Sequence, residues 1–77
     1  MDCLVFMVAI DKDGTEVYPV VEFDTGGENY PENNTDDIQR VVNICNAGAE
    51  DYTFIDMFGI RKEGEEVEQW EEIEDGV

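Results

Sequence analysis

Apolar and polar positions divide the chain into segments with different periods. Cys3 to Ile10 reads CLVFMVAI, apolar at odd and even positions alike. A short run with both faces apolar predicts a strand inside a sheet. Asp11-Lys12-Asp13-Gly14 follows, with the Asp and Gly chemistry of a tight hairpin turn. Residues 15–24 then alternate. Val17, Pro19, Val21 and Phe23 share one face, and Glu16, Tyr18, Val20, Glu22 and Asp24 share the other. Pro19 has no N–H to give a ladder, so this strand belongs at a sheet edge or carries a bulge.

Residues 25–34, TGGENYPENN, read as a polar loop. Asn34 or Thr35 is placed to cap a helix, with Asp36 and Asp37 at its positive end. Ile38, Val41, Val42, Cys45 and Ala49 follow helical spacing, and Gly48 is the predicted stop. Residues 52–61, YTFIDMFGIR, predict a second strongly apolar strand, and Lys62-Glu63-Gly64-Glu65 a turn. The segment 65–74 is ambiguous. Val67, Trp70 and Ile73 at intervals of three favour a short helix, whereas the preceding turn and the same-face pair Val67 and Ile73 favour a strand. The strand is the preferred assignment.

These elements make one α+β domain over residues 1–77, ββαββ, with a four-stranded antiparallel-type sheet and one helix packed on one face. The order 2-1-3-4 puts the two most apolar strands in the middle and places Pro19 and the Glu-rich last strand at the edges, where both discourage pairing with other chains. One short helix cannot cover both faces of four strands. The other face is expected to form a homodimer contact or an apolar binding patch.

Charge changes this picture most. Asp plus Glu number 21, Lys plus Arg 4, His none, and the formal net charge is −17 on 77 residues. Solubility of a small domain needs a net charge of only about 2 to 8 in magnitude. A 42% hydrophobic content is too high for a disordered acidic tail, so the charge sits on a folded body. Such a body is about 30 Å across, and that length of duplex DNA carries on the order of 18 phosphate charges. Lys12, Arg40, Arg61 and Lys62 are too few to neutralise a nucleic-acid backbone, which excludes nucleic acid as a direct partner. An anionic membrane would repel the chain, and no apolar run is long enough to span one. The chain reads as cytosolic, with Cys3 and Cys45 as buried thiols and the Asn33-Asn34-Thr35 sequon incidental.

Chemistry finds few footholds. Asp11, Asp13, Thr15 and Glu22 match part of a calcium-loop spacing, but Glu16 stands where the sharp turn requires Gly. No His is present to activate either Cys, and no nucleophile-elbow, P-loop or dinucleotide motif occurs. The expectation is a non-catalytic protein with no cofactor and no metal.

The candidate partner-binding residues are those of the acidic C-terminal run: Glu63, Glu65, Glu66, Glu68, Glu71, Glu72, Glu74 and Asp75, around Trp70. In a strand, same-face carboxylates repeat every ~7 Å, close to the spacing of adjacent phosphates. Trp70 is either a contact anchor or a core residue rimmed by solvated Glu. Asp36 and Asp37, with Glu28 and Glu32, form a second acidic cluster or only the helix cap.

In charge, size and lack of catalytic groups the chain resembles the small acidic DNA-mimic inhibitors of bacteriophages. Those include inhibitors of restriction enzymes, of uracil-DNA glycosylase and of CRISPR effectors. The resemblance carries over no individual residue. It implies a protein of the host-cell cytoplasm that occludes the basic nucleic-acid-binding site of a defence or DNA-processing protein. Two alternatives stand beside it. One is a salt-adapted haloarchaeal domain, against which the retained Ile, Phe and Cys count. The other is an adaptor subunit that binds a protein through its uncovered sheet face.

Overall fold

The first apolar run organises the residues that the structure, a computed structural model, describes, namely 2–70. It forms β1 (Cys3–Asp11), the central strand. Odd positions from Cys3 to Ala9 are buried, and even positions from Leu4 to Ile10 are half-buried on the opposite face. At its end the Asp11 carboxylate accepts from the backbone N–H groups of Asp13 and Thr15, both at 2.9 Å. Gly14 supplies the left-handed backbone (φ 85°) that closes this hairpin. Asp11, Asp13 and Thr15 of the partial calcium spacing thus build a turn.

Pro19 breaks the second strand in two. β2 (Glu16–Val17) and β3 (Val20–Phe23) both pair antiparallel with β1, in the registers Ala9 with Val17 and Val5 with Val21. Between them the Met7 N–H donates to the Pro19 carbonyl at 3.0 Å. The proline keeps its acceptor in the ladder while lacking a donor, which is tolerable because this is the sheet edge.

The helix α1 (Thr35–Ala47) begins at Asn34, whose side chain accepts from the Asp37 N–H, and ends at Gly48. Val41 and Val42 are buried against the sheet, with Ile38, Cys45 and Ala49 partly buried beside them. The helix lies against β4 (Tyr52–Lys62), which pairs antiparallel with β1 on the side away from β2 and β3. β5 (Val67–Gln69) completes the order β2-β1-β4-β5. With β2 and β3 counted as one broken strand, this is the predicted arrangement.

β4 departs from simple alternation. Its buried side chains Phe54, Met57 and Ile60, apart from the bare Gly59, are three apart, a spacing that a flat strand sends to opposite faces. Their partners on β1 are Ala9, Met7 and Val5, two apart. Register shifts between Phe6 and Met7 and between Val8 and Ala9 reconcile the two periods. Each inserts an extra β4 residue as a bulge, so all three side chains reach the helix layer. Asn46, in the last turn of α1, secures this strand. Its side-chain amide donates to the Phe54 carbonyl at 2.9 Å and its oxygen accepts from the Phe54 N–H at 2.7 Å.

Candidate functional site

The turn between β4 and β5 carries the first group of predicted site residues. Gly64 takes φ 80°, the Glu65 N–H closes on the Lys62 carbonyl at 3.0 Å, and Glu63, Glu65 and Glu66 are left exposed. Of the strand expected over 65–74, the described residues hold β5 (Val67–Gln69). β5 spans three residues, so a row of same-face carboxylates does not extend along it within the described residues. Glu71, Glu72, Glu74 and Asp75 lie outside those residues.

Register decides the roles of Glu68 and Trp70. Glu68 pairs with Ile60, whose side chain is buried toward the helix, so Glu68 is on that side too. It lies 3.8 Å from Lys62 and accepts from the Trp70 indole N–H at 3.1 Å. Trp70 itself is only 8% exposed and belongs to the core. Of the two roles that the sequence left open for Trp70, its burial fits the core residue.

Asp37 works as a helix cap. Its carboxylate accepts from the Glu32 N–H at 2.9 Å and from the Asn34 side-chain amide at 3.3 Å, while its own N–H donates to Asn34 at 2.8 Å. Asp36 remains exposed in the first turn, where the helix dipole favours a negative charge. Glu28, Tyr30, Glu32, Asp37 and Arg40 line a shallow concavity of about 650 Å³. Buried Pro31 and half-buried Tyr30 hold this loop to the body.

Tyr30 joins the two acidic groups. Burial raises its hydroxyl pKa, and the charges of Asp2, Cys3, Glu63 and Glu65 raise it further. The Lys62 ammonium sits over its ring, 5.5 Å from the centroid. The turn and the helix-cap loop therefore flank one end of the molecule, although some thirty residues separate them in sequence. Asp2, absent from the sequence-based candidates, belongs to this end. Its carboxylate accepts from the Thr25 hydroxyl at 2.6 Å and the Thr25 N–H at 3.0 Å, and these bonds hold its pKa below the ordinary 3.8.

No charged side chain is buried among the described residues. The cations are engaged where they stand. Lys12 pairs with Asp51 at 3.1 Å, Arg40 with Glu28 at 3.6 Å and Lys62 with Glu68, while the Arg61 Nε donates to the Glu65 carbonyl at 3.2 Å. These exposed pairs add little to stability, but they leave the anionic excess as the outward field.

The face of the sheet opposite α1 is the second feature. Phe6, Phe58 and Tyr18 meet there edge to face, Phe58 being 6.2 Å from Phe6 and 6.1 Å from Tyr18 between ring centroids. Tyr18 is 61% exposed, and its hydroxyl donates to Glu16 at 2.8 Å.

Burial raises the Cys3 pKa, with Asp2 and Asp24 adding to the effect, and burial alone raises that of Cys45. Among the described residues no three His, Cys, Asp or Glu side chains are grouped as a metal site, and no helix is long and apolar enough to cross a membrane. No protein-family model, characterised protein or solved structure matches the chain.

Proposed function

We propose that this protein binds a basic, nucleic-acid-binding site on another protein and keeps nucleic acid out of it. The observation that carries the reading is the surface charge. The chain carries a net charge of −17, with four of its carboxylates in the sequence beyond the described residues; the body has extents of 35 × 33 × 21 Å, no described charge is buried, and the few cations are already engaged. A duplex segment as long as that body carries about 20 phosphate charges. Lys and Arg placed to hold a phosphate backbone would meet a comparable density of carboxylates here. The mechanism is competitive occlusion: long-range attraction speeds encounter, and short-range pairing holds the complex.

The contact is assigned to the end that carries Glu63, Glu65, Glu66 and Glu68, together with Glu71, Glu72, Glu74 and Asp75 of the sequence beyond. Asp36 and Asp37 stand at the helix-cap side of the same end.

The test uses the immobilised chain to capture partners from a bacterial lysate at about 0.15 M salt, where surface charge still acts over about 8 Å. The captured protein should bind duplex DNA or RNA on its own, and added nucleic acid should displace it. Changing Glu65, Glu66, Glu68, Glu71 and Glu72 to Gln should weaken capture and reduce its salt dependence. Changing Asp13 and Asp51 to Asn and Glu50 to Gln, at the opposite end of β1, should do less per charge removed. Equal loss per charge in both variants would mean that only the overall field matters. A partner that nucleic acid does not displace would end the occlusion mechanism. The role also requires a folded chain at about 0.15 M salt; unfolding below roughly 1 M would mark a salt-adapted domain instead.

A further inference from the structure

The acidic-surface reading leaves the sheet face opposite α1 unused, and no described element covers it. Its centre is apolar: Leu4, Phe6, Val8 and Ile10 from β1, with Phe58 beside them. Around that centre Tyr18 is 61% exposed, Val20 52% and Val67 52%. Tyr18 is also fixed in place. Its ring stands at 90° to Phe58 and its hydroxyl is held by Glu16, so little side-chain freedom is left to lose on binding. Tyrosine held in this way is a common centre of binding energy.

Charge decides what fits the face. The strand registers set Glu22 opposite Leu4, Glu16 opposite Ile10 and Asp56 opposite Val8, so these carboxylates rise from the same side as the apolar centre. Arg61, opposite Leu4 on the other flank, is the cation of this face. A second copy of the chain fits poorly. Stacked face to face, two copies would crowd Glu16, Glu22 and Asp56 of both into one poorly hydrated layer, on top of −17 each. A segment with Lys or Arg beside its apolar residues reverses the sign of every one of those terms.

We infer that the open sheet face around Phe6, Phe58 and Tyr18 docks a cationic protein segment whose apolar residues lie on that centre. The inference rests on the proposed function only for the sign of the partner's charge. It adds a second contact surface, across the sheet from the helix, that gives register and specificity where the carboxylates give attraction.

The experiment uses the full chain and two synthetic peptides of identical composition. One alternates Leu and Lys; in the other the Leu and Lys residues are in separate blocks. Binding is followed by amide NMR shifts and titration at about 0.15 M salt. The alternating peptide should bind at least tenfold more tightly than its block isomer, with shifts gathered at Phe6, Tyr18, Phe58 and Val67. Tyr18→Ser combined with Val20→Ser, both at exposed positions, should abolish that advantage and leave the circular dichroism unchanged. Glu65→Gln with Glu66→Gln should weaken both peptides alike and leave the advantage standing. Equal binding of the two isomers, or shifts confined to the turn at 62–65 and to the helix, overturns the open face and spares the acidic surface. Failure of both peptides to bind overturns the two together. A dimer seen by sedimentation that the Tyr18→Ser, Val20→Ser variant dissociates would make the occupant a second copy and overturn the cationic partner.

Discussion

β1 offers the same kind of residue to both sides of the sheet, and the two sides are treated differently. Cys3, Val5, Met7 and Ala9 are buried with Val41 and Val42 of the helix, while Leu4, Phe6, Val8 and Ile10 stay half-buried. Nothing in the strand's own chemistry separates the two sets. What differs is the cover, because the described residues hold one helix and it lies on one face. An apolar pattern therefore states a demand for burial, and the count of covering elements determines how much of it is met internally. The unmet part is where an outside surface gains most.

The sharpest way to break this comparison is to truncate one side chain on each face. Met7→Ala, at 0% exposure, should cost about 2–5 kcal/mol in urea unfolding. Val20→Ala on the open face should stay within about 0.5 kcal/mol. Similar costs would mean that the open face is as tightly packed as the covered one.

Asn46→Ala probes how the helix is tied to β4. It removes the partners of both backbone groups of Phe54, and the expected loss is about 1–3 kcal/mol. A neutral result would show that water replaces the amide there.

Gly59 tests the β5 side of the open face. A methyl group at this position would sit 3.0 Å from the Glu68 carbonyl oxygen, a backbone atom that yields only if β5 moves. Gly59→Ala should cost about 1 kcal/mol and shift Trp70 fluorescence to the red, because displacing β5 wets the ring. Unchanged emission would mean that Trp70 is held without β5.

The smallest expected effect is a pH dependence. Thr25 holds the Asp2 pKa below its ordinary value, so this link contributes fully above about pH 3.8 and is lost as pH falls through the lower folded value. Thr25→Val should be less stable than the parent at pH 7, and the gap should close in acid. A gap that persists at low pH would assign the loss to packing.

Much of the fold was legible in the sequence because period and turn chemistry agreed. The alternation from Glu16 to Asp24 sorted inner from outer residues, and Pro19 marked both the edge and the break. Asn34, Asp37 and Gly48 bounded the helix. β4 was legible as a strand but its bulges were not, although the three-residue spacing of Phe54, Met57 and Ile60 is the signal they leave. The same spacing made Val67 and Trp70 ambiguous. A short strand that ends at a buried Trp produces it without a helix. Asp2 was missed as a member of the acidic end because only strand pairing brings it to Glu63, whose N–H donates to the Asp2 carbonyl at 3.1 Å. Asn46 gave no local sign, since its partner is the backbone of another element.

The β1–β4 ladder sets nine residues against eleven, and the difference is taken up at two fixed points. The pair behaves like a vernier. On a plain ladder a strand can slide by two residues and still present the same face, but here such a slide would also leave both insertions opposite the wrong neighbours. One alignment satisfies the whole length. An intruding strand would have to reproduce the same two offsets to replace either member, which guards the middle of the sheet against strand exchange even while one of its faces stays open.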